Sequence, residues 1–107
     1  MPFYDPSQRP SRIIAPGVHI KTMWGERIMI SLVDLAAGSQ VPAHTHPHEQ
    51  MGMVLKGRMT MVIEGESRDL RAGEVYLIPS GVEHSVSRVN VATRVVDIFS
   101  PPREDYK

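Results

Sequence analysis

Apolar and polar residues alternate with a period of two over much of this chain. Val18, Ile20 and Thr22 are separated by His19 and Lys21, and Met59, Met61 and Ile63 alternate with Arg58, Thr60 and Glu64. Val75 and Leu77 alternate with Tyr76 and Ile78, and Val95 follows Arg94. A period of two is the signature of a strand with one face turned inward. Gly and Pro cut the sequence into pieces of roughly five to seven residues, a strand length. Turns are predicted at Pro16-Gly17, Gly25-Glu26, Ala37-Gly38, Gly65-Glu66, Ala72-Gly73 and Ser80-Gly81. The longer stretch SVSRVNVATRVV (85–96) is rich in β-branched residues and reads as a strand pair turning near Asn90. The count is about nine or ten short strands, which predicts an all-β sandwich or closed barrel. Residues 1–12, with Pro2, Pro6 and Pro10, read as an extended arm before a single domain spanning 13–107. Pro101-Pro102 ends the last strand and opens a proline-rich tail.

Composition narrows the function. The 107 residues suffice for one modest core. Twelve Lys plus Arg balance twelve Asp plus Glu, so no electrostatic reason for a nucleic acid or anionic membrane partner exists. No Cys is present, which removes disulfides, thiol nucleophiles and thiolate metal sites. The longest purely apolar run, Met51 to Leu55, is far short of the roughly 20 residues that span a bilayer. The N-terminus has no basic start followed by an apolar stretch, and a cytoplasmic location is expected.

Four of the five histidines fall in two places: His44, His46 and His48 in AHTHPHEQ, and His84 in PSGVEHS. On a strand His44 and His46 point to one face, where two imidazoles can grip one ion. His84 can close the site from another strand. Gln50 can add an amide oxygen, with His48 as its competitor across the Pro47 break. Such donors suit a divalent transition metal: Zn, Ni, Fe, Mn or Co.

The flanking residues sharpen this reading. Gly38, His44, His46, Gln50 and Gly57 are followed by Gly73, Pro79, Ser80, Gly81 and His84 at matching intervals. This arrangement resembles the two-part signature of the cupin superfamily. The resemblance implies a single-domain double-stranded β-helix, a jelly-roll barrel with a metal inside one end. It places the ligands at His44, His46, Gln50 and His84. The family's usual Glu is Gln50 here, and Arg88 stands where an Asn often follows the last histidine. A neutral amide leaves the ion's charge uncompensated, favouring an anionic oxygen ligand and stronger Lewis acidity.

Side-chain parity extends the prediction. With Gln50 turned inward, Gly52 and Val54 share its face, while Glu49, Met51, Met53 and Leu55 project outward. Three large apolar residues outside the barrel predict an oligomer interface or cover from the N-terminal arm, and a homodimer is expected. Near the C-terminus, VVDIFSPPREDY puts Val95, Asp97 and Phe99 on one strand face, with Arg103 past the prolines. A buried Asp must be paired or protonated, and Arg is suited to a carboxylate. Together with HTHPHEQ this resembles the pectin-degradation cupins that linearise unsaturated uronates. The resemblance implies a metal-dependent enzyme acting on a small anionic sugar, with Asp97, Phe99 and Arg103 as its catalytic residues. An iron-dependent dioxygenase-type cupin and a non-catalytic small-ligand-binding cupin are the alternatives. Trp24 and Tyr76 read as core or interface aromatics.

Overall fold

The computed structural model describes residues 2–107. Ten strands follow one another: β1 (Arg12–Ala15), β2 (Val18–Trp24), β3 (Met29–Leu35), β4 (Val41–His44), β5 (Glu49–Lys56), β6 (Arg58–Ile63), β7 (Glu66–Arg71), β8 (Val75–Ile78), β9 (His84–Val89) and β10 (Thr93–Ser100). They form two antiparallel sheets, of order β1-β2-β3-β10-β5-β8 and β4-β9-β6-β7. The sheets face one another over a core that includes Ile20, Val33, Val54 and Ile78 from the first and Met59, Met61 and Val86 from the second. The all-β architecture is the one expected from the alternation, and the jelly-roll is the one that the cupin resemblance implied. No helix among the described residues is long and apolar enough to cross a membrane.

Two features depart from the sequence reading. β9 and β10 do flank Asn90, but they do not pair; β9 joins the four-stranded sheet and β10 the six-stranded one. The connection is a crossing between layers, which local β propensity cannot distinguish from a hairpin. β4 also stops at His44, so His46 lies in the loop that leads to β5 rather than on a strand.

Gly57 separates β5 from β6 with φ of 91°, the left-handed region that a Cβ disfavours. The chain there leaves one sheet for the other, and Thr93 ties the corner: the Arg58 N–H donates to its hydroxyl, which in turn donates to the Arg58 carbonyl. At the N-terminus a short 3-10 turn (Pro6–Gln8) is capped by Asp5, and the arm is tied to β2 where the Tyr4 hydroxyl donates to the Trp24 carbonyl. After β10, a second 3-10 turn (Glu104–Tyr106) is held to β2 by the Thr22 hydroxyl donating to the Tyr106 carbonyl.

The outer face of the six-stranded sheet is apolar across four strands. Ile30, Ile98, Met51 and Leu77 form one row, and Leu32, Val96, Met53 and Val75 the next. Met51, Met53 and Leu55 are 38–45% exposed, as the parity argument required.

Candidate metal centre and the cavity beside it

His44 and His84 are direct cross-strand partners on β4 and β9, and their ring centroids are 4.2 Å apart. The loop returns His46 against them, 4.8 Å from the His84 ring and 5.8 Å from that of His44. One ring nitrogen from each of the three lies within 4.8 Å of the others. The convergence therefore comes from strand pairing plus a loop, not from two histidines alternating on one strand.

Hydrogen bonding fixes which nitrogen is offered. The Nδ1 of His44 donates to the Pro42 carbonyl at 2.8 Å, that of His84 to Val82 at 2.9 Å and that of His46 to His48 at 3.1 Å. With the proton on Nδ1, all three rings present a bare Nε2 lone pair, the tautomer a metal requires. The Nε2 of His84 is buried without a partner. Gln50 lies on β5 with 5% exposure, and its Oε1 is 2.9 Å from the His46 Nε2. The same side chain also acts on Asp97, opposing the rise of its carboxyl. Two acceptors, an imidazole lone pair and an amide oxygen, thus face each other at short range, an arrangement that a shared cation satisfies. The residues present fit a divalent transition metal held by three neutral imidazoles, with the Gln50 oxygen beside them. Burial, followed by the nearby Arg103 guanidinium, holds His46 down at about 4, and burial also lowers His84, so both rings stay neutral ligands at neutral pH. His48 stays outside the three-histidine group.

A cavity of about 50 Å³ adjoins the histidines. His44, Gln50, His84, Asp97, Phe99 and Arg103 line it, while His46 stands next to it with its ring 5.6 Å from that of Phe99. All seven residues singled out from the sequence are therefore gathered in one place. Asp97 faces inward from β10, and burial raises its carboxyl to about 6 against the opposing pull of Tyr76, Gln50 and Arg103. Arg103 is 9% exposed; its guanidinium lies 3.8 Å from the Tyr106 ring centroid and 5.3 Å from that of Phe99. Its Nε and one terminal nitrogen donate to the Asp105 carboxylate at 3.3 and 2.9 Å.

Sequence reasoning missed three contributors. Tyr76 lies in the core as expected, and its hydroxyl also donates to Asp97 Oδ1. Tyr106 and Ser31 line the cavity, and the Ser31 hydroxyl is buried with no partner. Register supplies the signal for Tyr76, since it, Gly52 and Asp97 fall in one row. That row becomes visible only once strand order is known.

Comparison with known proteins agrees with this geometry. Residues 31–99 match the model of the cupin domain family. The pectin degradation protein KdgF of Dickeya dadantii is 29% identical over 106 residues, covering 97% of this chain and 96% of that protein. Among solved structures, KdgF from a Halomonas species superposes with a TM-score of 0.90 at 27% identity, covering 100% of this chain and 99% of the other. An RmlC-like cupin from Shewanella frigidimarina gives a TM-score of 0.92 at 24% identity, over 100% and 96% of the two chains. With the jelly-roll, the two-part histidine pattern and a family match over most of its length, this chain belongs to the cupin family.

Proposed function

We propose that this protein opens the ring of a 4,5-unsaturated uronate and delivers its linear keto form. One observation carries the reading: a partly buried carboxyl, Asp97, shares a single cavity with a three-imidazole centre and a guanidinium. Similarity over nearly the full chain to a pectin degradation protein supports the substrate class.

A divalent cation held by His44, His46, His84 and Gln50 would supply Lewis-acid polarisation of the sugar oxygens. The remaining work falls to the chain's own side chains. Arg103, held at Nε and one terminal nitrogen by Asp105, binds the uronate carboxylate through its remaining N–H donors. Phe99 and the Arg103–Tyr106 stack form an apolar wall for the ring. The cavity is too small to engulf a sugar, so the ring sits across the mouth with its reacting edge inward. Asp97 takes the proton of the anomeric hydroxyl as the C1–O5 bond breaks, leaving an aldehyde at C1 and an enolate at C5. Returning that proton from Asp97 to C4 gives the C5 ketone, so the reaction is an isomerisation with no net gain or loss. A carboxyl raised to about 6 is suited to both proton transfers near neutral pH.

Incubation with unsaturated galacturonate under anaerobic conditions tests the proposal. Loss of the conjugated enol absorbance faster than in buffer is expected; no acceleration by metal-loaded protein refutes it. The apolar outer face of the six-stranded sheet supports a homodimer, with a second copy laying the same rows against it.

A further inference from the structure

We propose that Tyr76 is the positioning residue of Asp97, reaching it through a gap that Gly52 leaves in the sheet. Tyr76 on β8, Gly52 on β5 and Asp97 on β10 occupy one cross-strand row, with Gly52 in the middle. Neighbouring strands are about 4.8 Å apart, so Tyr76 and Asp97 start roughly 10 Å from each other. An ordinary side chain at position 52 would stand between them. A Cβ built on Gly52 falls on the Tyr76 ring carbon Cζ, on the phenolic oxygen and on Asp97 Oδ1, well inside van der Waals contact with each. The glycine is thus required by the space that the phenol and carboxylate occupy.

The phenol is used for one contact. Tyr76 is 6% exposed, and among the described residues Asp97 is the hydrogen-bond partner of its hydroxyl. Packing alone would be served as well by a phenylalanine; a buried hydroxyl is costly unless it bonds, so its presence marks the bond as the purpose. Tyr76 holds Oδ1 from the β8 side. Held there, the carboxylate is restrained about its χ2 axis, and its remaining lone pairs keep their aim into the cavity. Displacement of a reacting group by as little as 1 Å costs about a hundredfold in rate.

The catalytic consequence rests on the ring-opening reading above, and the experiment keeps the two apart. Tyr76→Phe and Gly52→Ala are assayed on unsaturated galacturonate alongside the parent, with metal content measured for each. Tyr76→Phe is expected to lower kcat about a hundredfold with KM within about twofold and metal unchanged. Gly52→Ala is expected to give a similar loss by forcing the phenol or the carboxylate aside. Adding Tyr76→Phe to Asp97→Asn is expected to cause little further loss, because both remove one function. A kcat retained within about twofold in Tyr76→Phe overturns the proposal, as does a change confined to KM. An inactive parent rejects the ring-opening reading instead. Crystal structures of parent and Tyr76→Phe then decide the positioning role: a turned Asp97 carboxylate upholds it, and an unmoved one overturns it.

Discussion

Replacing Asp97 by Asn is expected to stabilise the protein while sharply lowering its activity. The carboxyl is displaced from 3.8 to about 6 by burial, so above that range folding carries the cost of an ionised group that water would solvate better. By proton linkage the full displacement amounts to ~3 kcal/mol; contact with water in the cavity reduces this to ~1.5 kcal/mol. The sign follows from the direction: a raised carboxyl contributes stability that is complete below 3.8 and is lost as the pH rises through about 6. An Asn keeps an oxygen to accept the Tyr76 hydroxyl and carries no charge. Urea unfolding of metal-stripped parent and Asp97→Asn proteins at about pH 7.5 should show the variant more stable by ~1.5 kcal/mol, and the gap should close toward about pH 4. His46 titrates in both proteins, so its contribution cancels in the difference. A variant less stable than the parent at neutral pH, or a gap independent of pH, would refute the reasoning.

Other outcomes follow from the same geometry. Arg103→Lys replaces a bidentate fork with a point charge and should raise KM for an unsaturated uronate about tenfold with little change in kcat, read from steady-state kinetics. His84→Ala should purify with less than a tenth of the parent's bound metal by elemental analysis, since it removes one of three converging imidazoles. In the Asp97→Asn background, unfolding free energy should rise from about pH 4 to about pH 6.5, because unfolded His46 takes up a proton there and the folded ring does not. Denaturant titrations at several pH values check this. Met53→Lys, at the centre of the exposed apolar rows, should shift the sedimentation coefficient from dimer to monomer while leaving the far-UV spectrum unchanged.

Strand content and facing were legible because they are written at period two. The parity that turns Gln50 inward also turns Met51, Met53 and Leu55 outward, and both hold. The histidine set was legible because the two-part motif carries its own spacing. What escaped depends on which strands lie side by side. A turn near Asn90 looks the same whether the chain returns to its neighbour or crosses to the opposite sheet, and only the crossing puts β10 between β3 and β5. Tyr76 was read as a core or interface aromatic and does lie in the core; its bond to Asp97 escaped because that partner is two strands away, over a glycine more than twenty residues earlier in the chain. His46 was misassigned to a strand because the visible break, Pro47, lies three residues past His44, where β4 has already ended.

The imidazoles of His44 and His84 come from the four-stranded sheet, whereas Gln50, Asp97 and Phe99 come from the six-stranded one. Lineages built on this scaffold can therefore exchange the acid and the aromatic on β10 without disturbing the histidine pair. New reactions become reachable by a few codon changes on one strand, with the paired imidazoles of the opposite sheet inherited intact.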